Sequence, residues 1–140
     1  MPEFFSPKGE LVTETKGMAP KKNKLATVEV PLPIVAVSNP QLWSCETPNL
    51  YKAEITLLHK GKVIDNVTET FGIRTLEYSP EFGFKLNGKK LFLKGIANHH
   101  DLGAVGAAAF DRAIERQFEL LKKFGYNHVR TSHNPYSKSF

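Results

Sequence analysis

The sequence between residues 91 and 137 runs LFLKGIANHHDLGAVGAAAFDRAIERQFELLKKFGYNHVRTSHNPYS. Two polar clusters in it, residues 98–101 (NHHD) and 130–135 (RTSHNP), each follow a short apolar run that is typical of a strand. The segment between them has the spacing of a helix. Strand, helix and strand of this length form a βαβ unit, whose two strands are parallel. Both clusters are therefore predicted to lie at one edge of a sheet, where parallel α/β sheets keep their active sites.

The helix of this unit is predicted to have Asp111 as its N-cap and Gly125 just past its end. Two lysines in its last turn suit the helix dipole. The strands on either side are predicted at 91–96 and 126–131. One face of the helix carries apolar residues at helical spacing: Ile114, Phe118, Leu121 and Phe124.

Before residue 80 the chain is predicted to be antiparallel β-structure. Alternation is clearest at 51–58, where apolar positions (Tyr51, Ala53, Ile55 and Leu57) alternate with polar ones. Residues 39–50 are rich in turn formers and are predicted to form an irregular connection anchored by Trp43. Further on, the pair Asn87-Gly88 predicts a tight hairpin. Strand candidates with short turns are typical of part of a β-sandwich, and they lie at 10–15, 25–30, 51–58 and 63–73.

Composition excludes several classes of protein. A hydrophobic fraction of 41% and a charged fraction of 24% are typical of a globular chain. The net charge of +5 comes from scattered lysines without interleaved aromatics, so we expect no nucleic-acid partner. No apolar run approaches a membrane span, so we expect no membrane partner. The single cysteine, Cys45, excludes an intrachain disulfide. Neither the compartment nor the oligomeric state follows from the sequence.

The cluster His99-His100-Asp101 has several chemical interpretations. Its side chains could bind a metal, bind a sugar, act as an acid–base set, or simply bond to the loop backbone. Adjacent histidines in an extended segment point to opposite sides, so both cannot face one small site unless the loop curls. A metal site is disfavoured because the cluster has neither a helical His-x-x-x-His pair nor a supporting cysteine.

The second cluster contains an arginine and a serine–histidine pair. Arg130 near the end of a buried strand needs a carboxylate partner. None precedes it at an obvious position, so we expect that partner beyond Phe140. Ser132 and His133 are adjacent, which is too close in an extended segment for a nucleophile and its base. A serine hydrolase is therefore disfavoured, and a capping role for His133 stays open.

Several short motifs in this chain occur together in a known family. In these motifs the chain resembles glycoside hydrolase family 2, the β-galactosidase and β-glucuronidase family. From Asn39 onward the motifs occur in the same order as in that family. The version HHDLGA at 99–104 is similar to a β-galactosidase-like branch found in sugar-degrading gut bacteria. The matching segments are 39–44 (NPQLWS), 48–51 (PNLY), 71–74 (FGIR), 86–89 (LNGK), 94–95 (KG), His99 and 127–135 (NHVRTSHNP).

The resemblance implies a mixed fold in an internal fragment of a longer protein. Residues 1–75 would be the C-terminal part of an immunoglobulin-like antiparallel β-sandwich domain. Residues 76–140 would be the N-terminal part of the catalytic domain, a (β/α)8 TIM barrel. They would supply a hairpin followed by the first βαβ unit of that barrel.

The resemblance also implies a retaining glycoside hydrolase that cleaves terminal β-glycosidic bonds, with a β-linked sugar, a galactoside, as substrate. In the family, the histidines matching His99 and His133 contact sugar hydroxyls, and the arginine matching Arg130 orients the nucleophile. Both catalytic glutamates come from later barrel strands and are expected beyond Phe140. The isolated fragment is therefore expected to be inactive. No metal ligand or cofactor is expected in the fragment, while the full-length enzyme could use a divalent or sodium ion.

The chain departs from many family members at two places. They have His-Glu at the position of His99-His100, and His-Tyr-Pro at the position of His133-Asn134-Pro135. Both differences bear on sugar preference. The rival hypothesis is a non-catalytic β-sandwich module that binds carbohydrate or another protein, and a metal-binding regulator is a more distant one. The enzyme hypothesis requires His99, Arg130 and His133 at one edge of a parallel strand pair.

Overall fold

The computed structural model of the chain describes residues 1–18, 29–99, 101–108, 110–138 and 140. It divides into two compact units, Met1–Leu76 and Glu77–Phe140. Among the described residues, the first unit contains β-strands alone, and the second combines short strands with an α-helix.

The strands of the first unit form one antiparallel sheet in the order β2-β1-β3-β4. Three predicted strands are confirmed to within two residues, and the fourth, at 25–30, lies mostly outside the described residues. The strand β1 was not predicted, because only a few residues precede the turn formers that follow it. The bounds are β1 (Pro2–Phe5), β2 (Leu11–Glu14), β3 (Tyr51–His59) and β4 (Lys62–Phe71).

The core of this unit is a small aromatic cluster. The ring of Phe71 lies 6.2 Å from that of Phe4 and 5.8 Å from that of Tyr51, measured between centroids. Tyr51 is buried, as the alternation in β3 predicts. The same pattern placed Ile55 and Leu57 on the buried face, and this is wrong for both, since they are 41% and 47% exposed. β1 pairs with β3 only at residues 52–55, so Ile55 lies at the end of this pairing and Leu57 beyond it.

The irregular connection is anchored by Trp43, as predicted. The backbone N–H of Trp43 donates to the carbonyl oxygen of Ile73 at 2.8 Å. Its side chain packs on Gly72, where an added Cβ would lie 2.9 Å from three Trp43 carbons. The guanidinium of Arg74 lies over the indole ring, 4.7 Å from its centroid. Residues 71–74 thus pack around the side chain of Trp43, and position 72 requires glycine.

The second unit begins with the predicted hairpin. Strands β5 (Leu76–Ser79), β6 (Gly83–Leu86) and β7 (Lys89–Lys90) form a sheet in that order, and β5 starts at the boundary between the units. Asn87 and Gly88 connect β6 to β7 with φ values of 52° and 73°. Two successive positive φ values define the type I′ turn that Asn-Gly favours.

The remaining strands, β8 (Gly95–Asn98) and β9 (His128–Thr131), flank the helix α1 (Asp111–Lys123). They pair in parallel, with Gly95 opposite His128 and Asn98 opposite Thr131. The βαβ unit and its parallel pair are therefore confirmed. A short 3-10 turn, Gly103–Val105, interrupts the loop between β8 and α1.

The first strand of this unit begins four residues later than predicted, and the side chain of Asn127 explains the difference. Its Oδ1 accepts a hydrogen bond from the N–H of Lys94 at 2.8 Å, and its Nδ2 donates to the carbonyl of Phe92 at 3.0 Å. One side-chain amide thus satisfies backbone groups that a neighbouring strand would otherwise satisfy. Ladder pairing consequently starts only at Gly95.

The C-terminal end of α1 is as predicted from the sequence, whereas the N-terminal end differs from the prediction. The N-cap is Phe110, which has extended backbone angles, and not Asp111, which is already helical. The Asp111 carboxylate still lies in the first turn, where the helix dipole favours it. At the other end, Gly125 has φ 82° and donates to the carbonyl of Lys122, while Tyr126 donates to that of Leu121. These two bonds form a Schellman motif, which confirms Gly125 as the stop.

Only part of the predicted apolar face of α1 is buried. Ile114 is enclosed, and Phe118 packs against Phe140 with 4.8 Å between ring centroids. Phe124, on the same face, is 76% exposed. No helix in the described part of the chain has the length and apolar character needed to cross a membrane.

We expect the 140-residue chain, expressed alone, to lack a cooperative thermal transition. Buried apolar side chains in the described residues are few, whereas Val63, Ile64, Phe92 and Phe124 are largely exposed. Exposed apolar surface of this extent favours aggregation. Near-ultraviolet circular dichroism on heating, with binding of a hydrophobic dye, is the measurement. A sharp melt of a soluble monomer that binds no dye would contradict this expectation.

Candidate functional site

The candidate site lies where β8 and β9 end side by side. Since Asn98 is paired with Thr131, the residues that follow the two strands leave the sheet at the same edge. The imidazole rings of His99 and His133 have their centroids 5.2 Å apart, with 53° between their planes. Both side chains are exposed. The structure therefore brings together two side chains that are 34 positions apart in the sequence.

The backbone at His133 has an uncommon conformation. Its φ is 67°, in the left-handed region, which is uncommon for residues other than glycine. A residue held in this way costs on the order of 1 kcal/mol or more and persists when its surroundings fix it. Two hydrogen bonds at Ser132 do so: its N–H donates to the carbonyl of Asn98, and its carbonyl accepts from the N–H of Asn134, both at 2.9 Å.

Arg130 lies in β9, opposite Ala97 of β8. The sequence predicted that it would be buried, and this is wrong, because its side chain is exposed. β9 pairs with β8 alone among the described strands, so this sheet has two strands there and both are edge strands. Within the described residues, Arg130 makes no ion pair with a carboxylate.

Asp101 has a local structural role. Its Oδ1 accepts a hydrogen bond from the N–H of Gly103 at 3.0 Å, and its own N–H donates to the carbonyl of His99 at 2.8 Å. The carboxylate thereby caps the turn that follows the site. His100 lies outside the described residues. Within the described ranges, no group of three His, Cys, Asp or Glu side chains is arranged to hold a metal ion.

A buried polar network lies behind the two histidines, and sequence analysis did not identify it. The side-chain amides of Asn98 and Gln117 pair reciprocally: Gln117 Nε2 donates to Asn98 Oδ1 at 3.0 Å, and Asn98 Nδ2 donates to Gln117 Oε1 at 3.4 Å. The carbonyl of Asn98 accepts from the hydroxyl of Tyr136 as well. The signal was present, because Gln117 is a polar residue three positions after the buried Ile114, on the face that packs against the strands.

Ser132 is the most enclosed residue of the site, with 2% of its surface exposed. Its hydroxyl has no hydrogen-bond partner within the described residues. A hydroxyl so enclosed has no access to a substrate, which agrees with the argument against a serine nucleophile.

The carboxylates of α1 lie elsewhere. Arg112 makes ion pairs with Glu115 at 3.0 Å and with Glu119 at 2.8 Å, all three side chains being well exposed. The hydrogen bonds from Arg112 are the main cause that lowers the pKa of Glu119 below its ordinary value, and the attraction between the two charges adds to it. Glu119 therefore stays ionised and is unsuited to act as a general acid.

An open cleft of about 400 Å³ runs beside the site, between the turn at 101–103 and α1. Its walls include Leu102, Arg116 and Leu120, and neither histidine lines it. A much smaller cavity, of about 10 Å³, lies between His99, Gln117 and Tyr136. The histidines thus stand on an open edge beside the cleft and not inside an enclosed pocket.

Comparison with known protein families gives two matches along the chain. The model for "Glycosyl hydrolases family 2" matches residues 3–74. The model for "Glycosyl hydrolases family 2, TIM barrel domain" matches residues 81–140. The first covers the described sheet β2-β1-β3-β4 except Pro2, and the second covers the βαβ unit that carries the histidines.

Individual relatives agree with these matches. A β-galactosidase of Bacteroides ovatus is 43% identical over 101 residues, which are 72% of this chain and 12% of that protein. A protein of Formosa agariphila named a putative β-glucuronidase is also 43% identical, over 126 residues, 89% of this chain and 12% of that protein. The chain therefore spans about an eighth of the length of these curated relatives.

Solved structures give the same result. The match to a glycosyl hydrolase family 2 member from Bacteroides cellulosilyticus covers 99% of this chain and 19% of that protein's chain, with 37% identity and a TM-score of 0.77. The match to a β-glycosidase from Bacteroides vulgatus covers 99% of this chain and 17% of that protein's chain, with 34% identity and a TM-score of 0.81. Taken with the family models that match 3–74 and 81–140, these likenesses lead to one conclusion: the chain belongs to glycosyl hydrolase family 2.

Proposed function

We propose that this chain is a segment of a retaining β-glycoside hydrolase that acts on a terminal β-linked galactoside, and that the segment supplies one wall of the sugar pocket. The observation that carries the proposal is the pair His99 and His133, 5.2 Å apart at the carboxyl edge of two parallel strands. Active sites of parallel α/β proteins lie at this edge. Relatives of the same family that are named β-galactosidases support the reaction class.

The proposal includes a fold for each part of the complete protein. Residues 1–75 would end an immunoglobulin-like β-sandwich, and residues 76–140 would begin a (β/α)8 barrel. The antiparallel sheet β2-β1-β3-β4 supports the first assignment, since one such sheet is half of a sandwich. The unit β8-α1-β9 and the TIM-barrel family match over 81–140 support the second.

The two histidines suit the recognition of sugar hydroxyls. A neutral imidazole has one nitrogen that donates and one that accepts, so each ring can bond to a hydroxyl in either sense. Two rings 5.2 Å apart can reach neighbouring hydroxyls of one sugar ring. In this proposal His99 and His133 hold the terminal sugar by these bonds and orient it for the reaction.

Arg130 suits a different role, that of orienting the nucleophilic carboxylate. Its guanidinium can bond to both oxygens of a carboxylate. A cation beside a carboxylate lowers the pKa of that group, which keeps the nucleophile ionised. The exposure of Arg130, and the absence of an ion pair to it within the described residues, leave it available for a carboxylate from another part of the enzyme.

The two catalytic carboxylates are proposed to come from beyond Phe140. A retaining glycosidase needs two carboxyl groups about 5 Å apart, one as acid/base and one as nucleophile. In this chain Glu115 and Glu119 are paired with Arg112 on the exposed side of α1, and no glutamate follows an asparagine in the sequence. The proposal places no metal ligand in this segment, so a divalent or sodium ion would be bound by other residues of the enzyme.

The 140-residue chain alone is expected to hydrolyse no glycoside, because it lacks both catalytic carboxylates in this proposal. The measurement is the release of nitrophenol from nitrophenyl β-galactoside and nitrophenyl β-glucuronide by purified chain. Activity that co-purifies with the chain and persists after a second purification step would contradict the expectation.

The complete enzyme is here the polypeptide in which this segment occupies the position it has in its relatives. In that enzyme, His99→Ala and His133→Ala should each raise KM about 10-fold or more. Each removes a hydrogen bond to the sugar worth about 1–2 kcal/mol. His59→Ala, the same change on an exposed histidine at the end of β3, is the control. Kinetics on galactoside and glucuronide test the sugar assignment, and a higher kcat/KM on glucuronide would contradict it.

Arg130→Ala should act on kcat more than on KM. Without the guanidinium the nucleophile is poorly oriented and its pKa rises, so kcat should fall about 100-fold and the acid limb of the pH–kcat profile should move to higher pH. Arg130→Lys keeps the charge and should recover part of the loss. Arg112→Ala, on the exposed side of α1, is the control. An unchanged acid limb in Arg130→Ala would remove the proposed role.

A further inference from the structure

We infer that Asn98 and Gln117 are positioning residues of this site, and that their paired amides let the helix α1 set the placement of His99 and His133. The inference rests on the proposed function, because it explains how the two sugar-contacting side chains are held. Neither Asn98 nor Gln117 is proposed to touch the sugar, and the family motifs named above include neither of them.

The pair is specific in its geometry. Each amide donates once and accepts once, from Gln117 Nε2 to Asn98 Oδ1 at 3.0 Å and from Asn98 Nδ2 to Gln117 Oε1 at 3.4 Å. Asn98 is 7% exposed, and Gln117 is half-buried. Because both groups must match donor to acceptor, the pair fixes the distance and the orientation between the end of β8 and the middle of α1.

Asn98 also holds the backbone on both sides of the site. Its carbonyl accepts from the N–H of Ser132 at 2.9 Å and from the hydroxyl of Tyr136. Asn98 directly precedes His99, and Ser132 directly precedes His133. One residue is therefore bonded to the helix, to the start of the second loop and to a residue further along that loop.

An apolar contact could join α1 to the strands without fixing these positions. Ile114, one turn earlier on the same face, is buried and lines the small cavity together with Asn98. Non-directional packing tolerates small shifts, whereas an amide pair that shifts leaves buried polar groups unsatisfied at a cost of about 1–3 kcal/mol. The cavity beside the pair, of about 10 Å³, has room for one water molecule at most, whereas Gln117 also borders the open cleft of about 400 Å³. Asn98, the buried partner, thus depends on Gln117 for its side-chain hydrogen bonds.

The test is Gln117→Glu in the complete enzyme, compared with the wild type at two pH values. An ionised carboxylate can accept from Asn98 Nδ2 but cannot donate to Asn98 Oδ1, so the pair is broken at about pH 8. A protonated carboxyl donates its O–H and restores the pair, and partial burial raises the pKa of such a group above its ordinary value. We expect KM to be about 10-fold above the wild-type value at pH 8 and within about 2-fold at pH 5, with kcat changed little.

Three further variants make the result decisive. Gln41→Glu introduces the same charge at an exposed position of the first unit, and its KM should equal the wild-type value at both pH values. His99→Ala reports on the proposed function itself. Tyr136→Phe removes the hydroxyl donor to the Asn98 carbonyl, and it should raise KM severalfold at both pH values. Melting temperatures at each pH identify a variant that is simply unfolded.

The outcomes separate the two hypotheses. If His99→Ala raises KM while Gln117→Glu leaves it unchanged, or changes it equally at both pH values, the inference is wrong and the proposed function stands. If His99→Ala and His133→Ala both leave KM unchanged, the proposed function is wrong and the inference falls with it. If Gln117→Glu does not fold at pH 8, Tyr136→Phe decides, and an unchanged KM in that variant overturns the inference.

Discussion

The constraint on which the candidate site depends is the register of the parallel pair β8 and β9. With Asn98 opposite Thr131, the first residues beyond each strand face each other across one sheet edge. A slip of one residue would move every side chain of the slipped strand to the opposite face and separate the histidine rings. Parallel pairing requires a long connection, and here α1 both provides it and bonds to the strand end through Gln117. The connection therefore helps to fix the register that it makes possible.

Much of this arrangement could be predicted from the sequence, because it follows from periodic patterns. The helical spacing from Ile114 to Leu121, the stop at Gly125 and two short apolar runs were sufficient for a parallel βαβ unit. The Asn87-Gly88 turn was equally clear, since few residue pairs accept two positive φ values. Membership of glycosyl hydrolase family 2 rested on motifs whose structural part is now visible in the packing of Trp43 on Gly72.

The features that were missed depend on single side chains bonding to a distant backbone or to each other. Nothing in the residues at 91–94 indicates that Asn127 will satisfy their backbone groups, so the start of β8 was placed too early. Arg130 was expected to be buried because the pattern describes a strand and not the number of its neighbours. The partnership of Asn98 with Gln117 is likewise a meeting of two residues 19 positions apart. Periodicity carries no information about such bonds.

The left-handed backbone at His133 sets stability and recognition against each other. Glycine would adopt φ 67° with less strain, so selection for folding alone would favour glycine over histidine there. If the imidazole serves the sugar, the position is one where the chain accepts a less stable local structure in return for chemistry. Mutational surveys of such a protein should then find a substitution to glycine enriched under selection for abundance and depleted under selection for growth on the sugar.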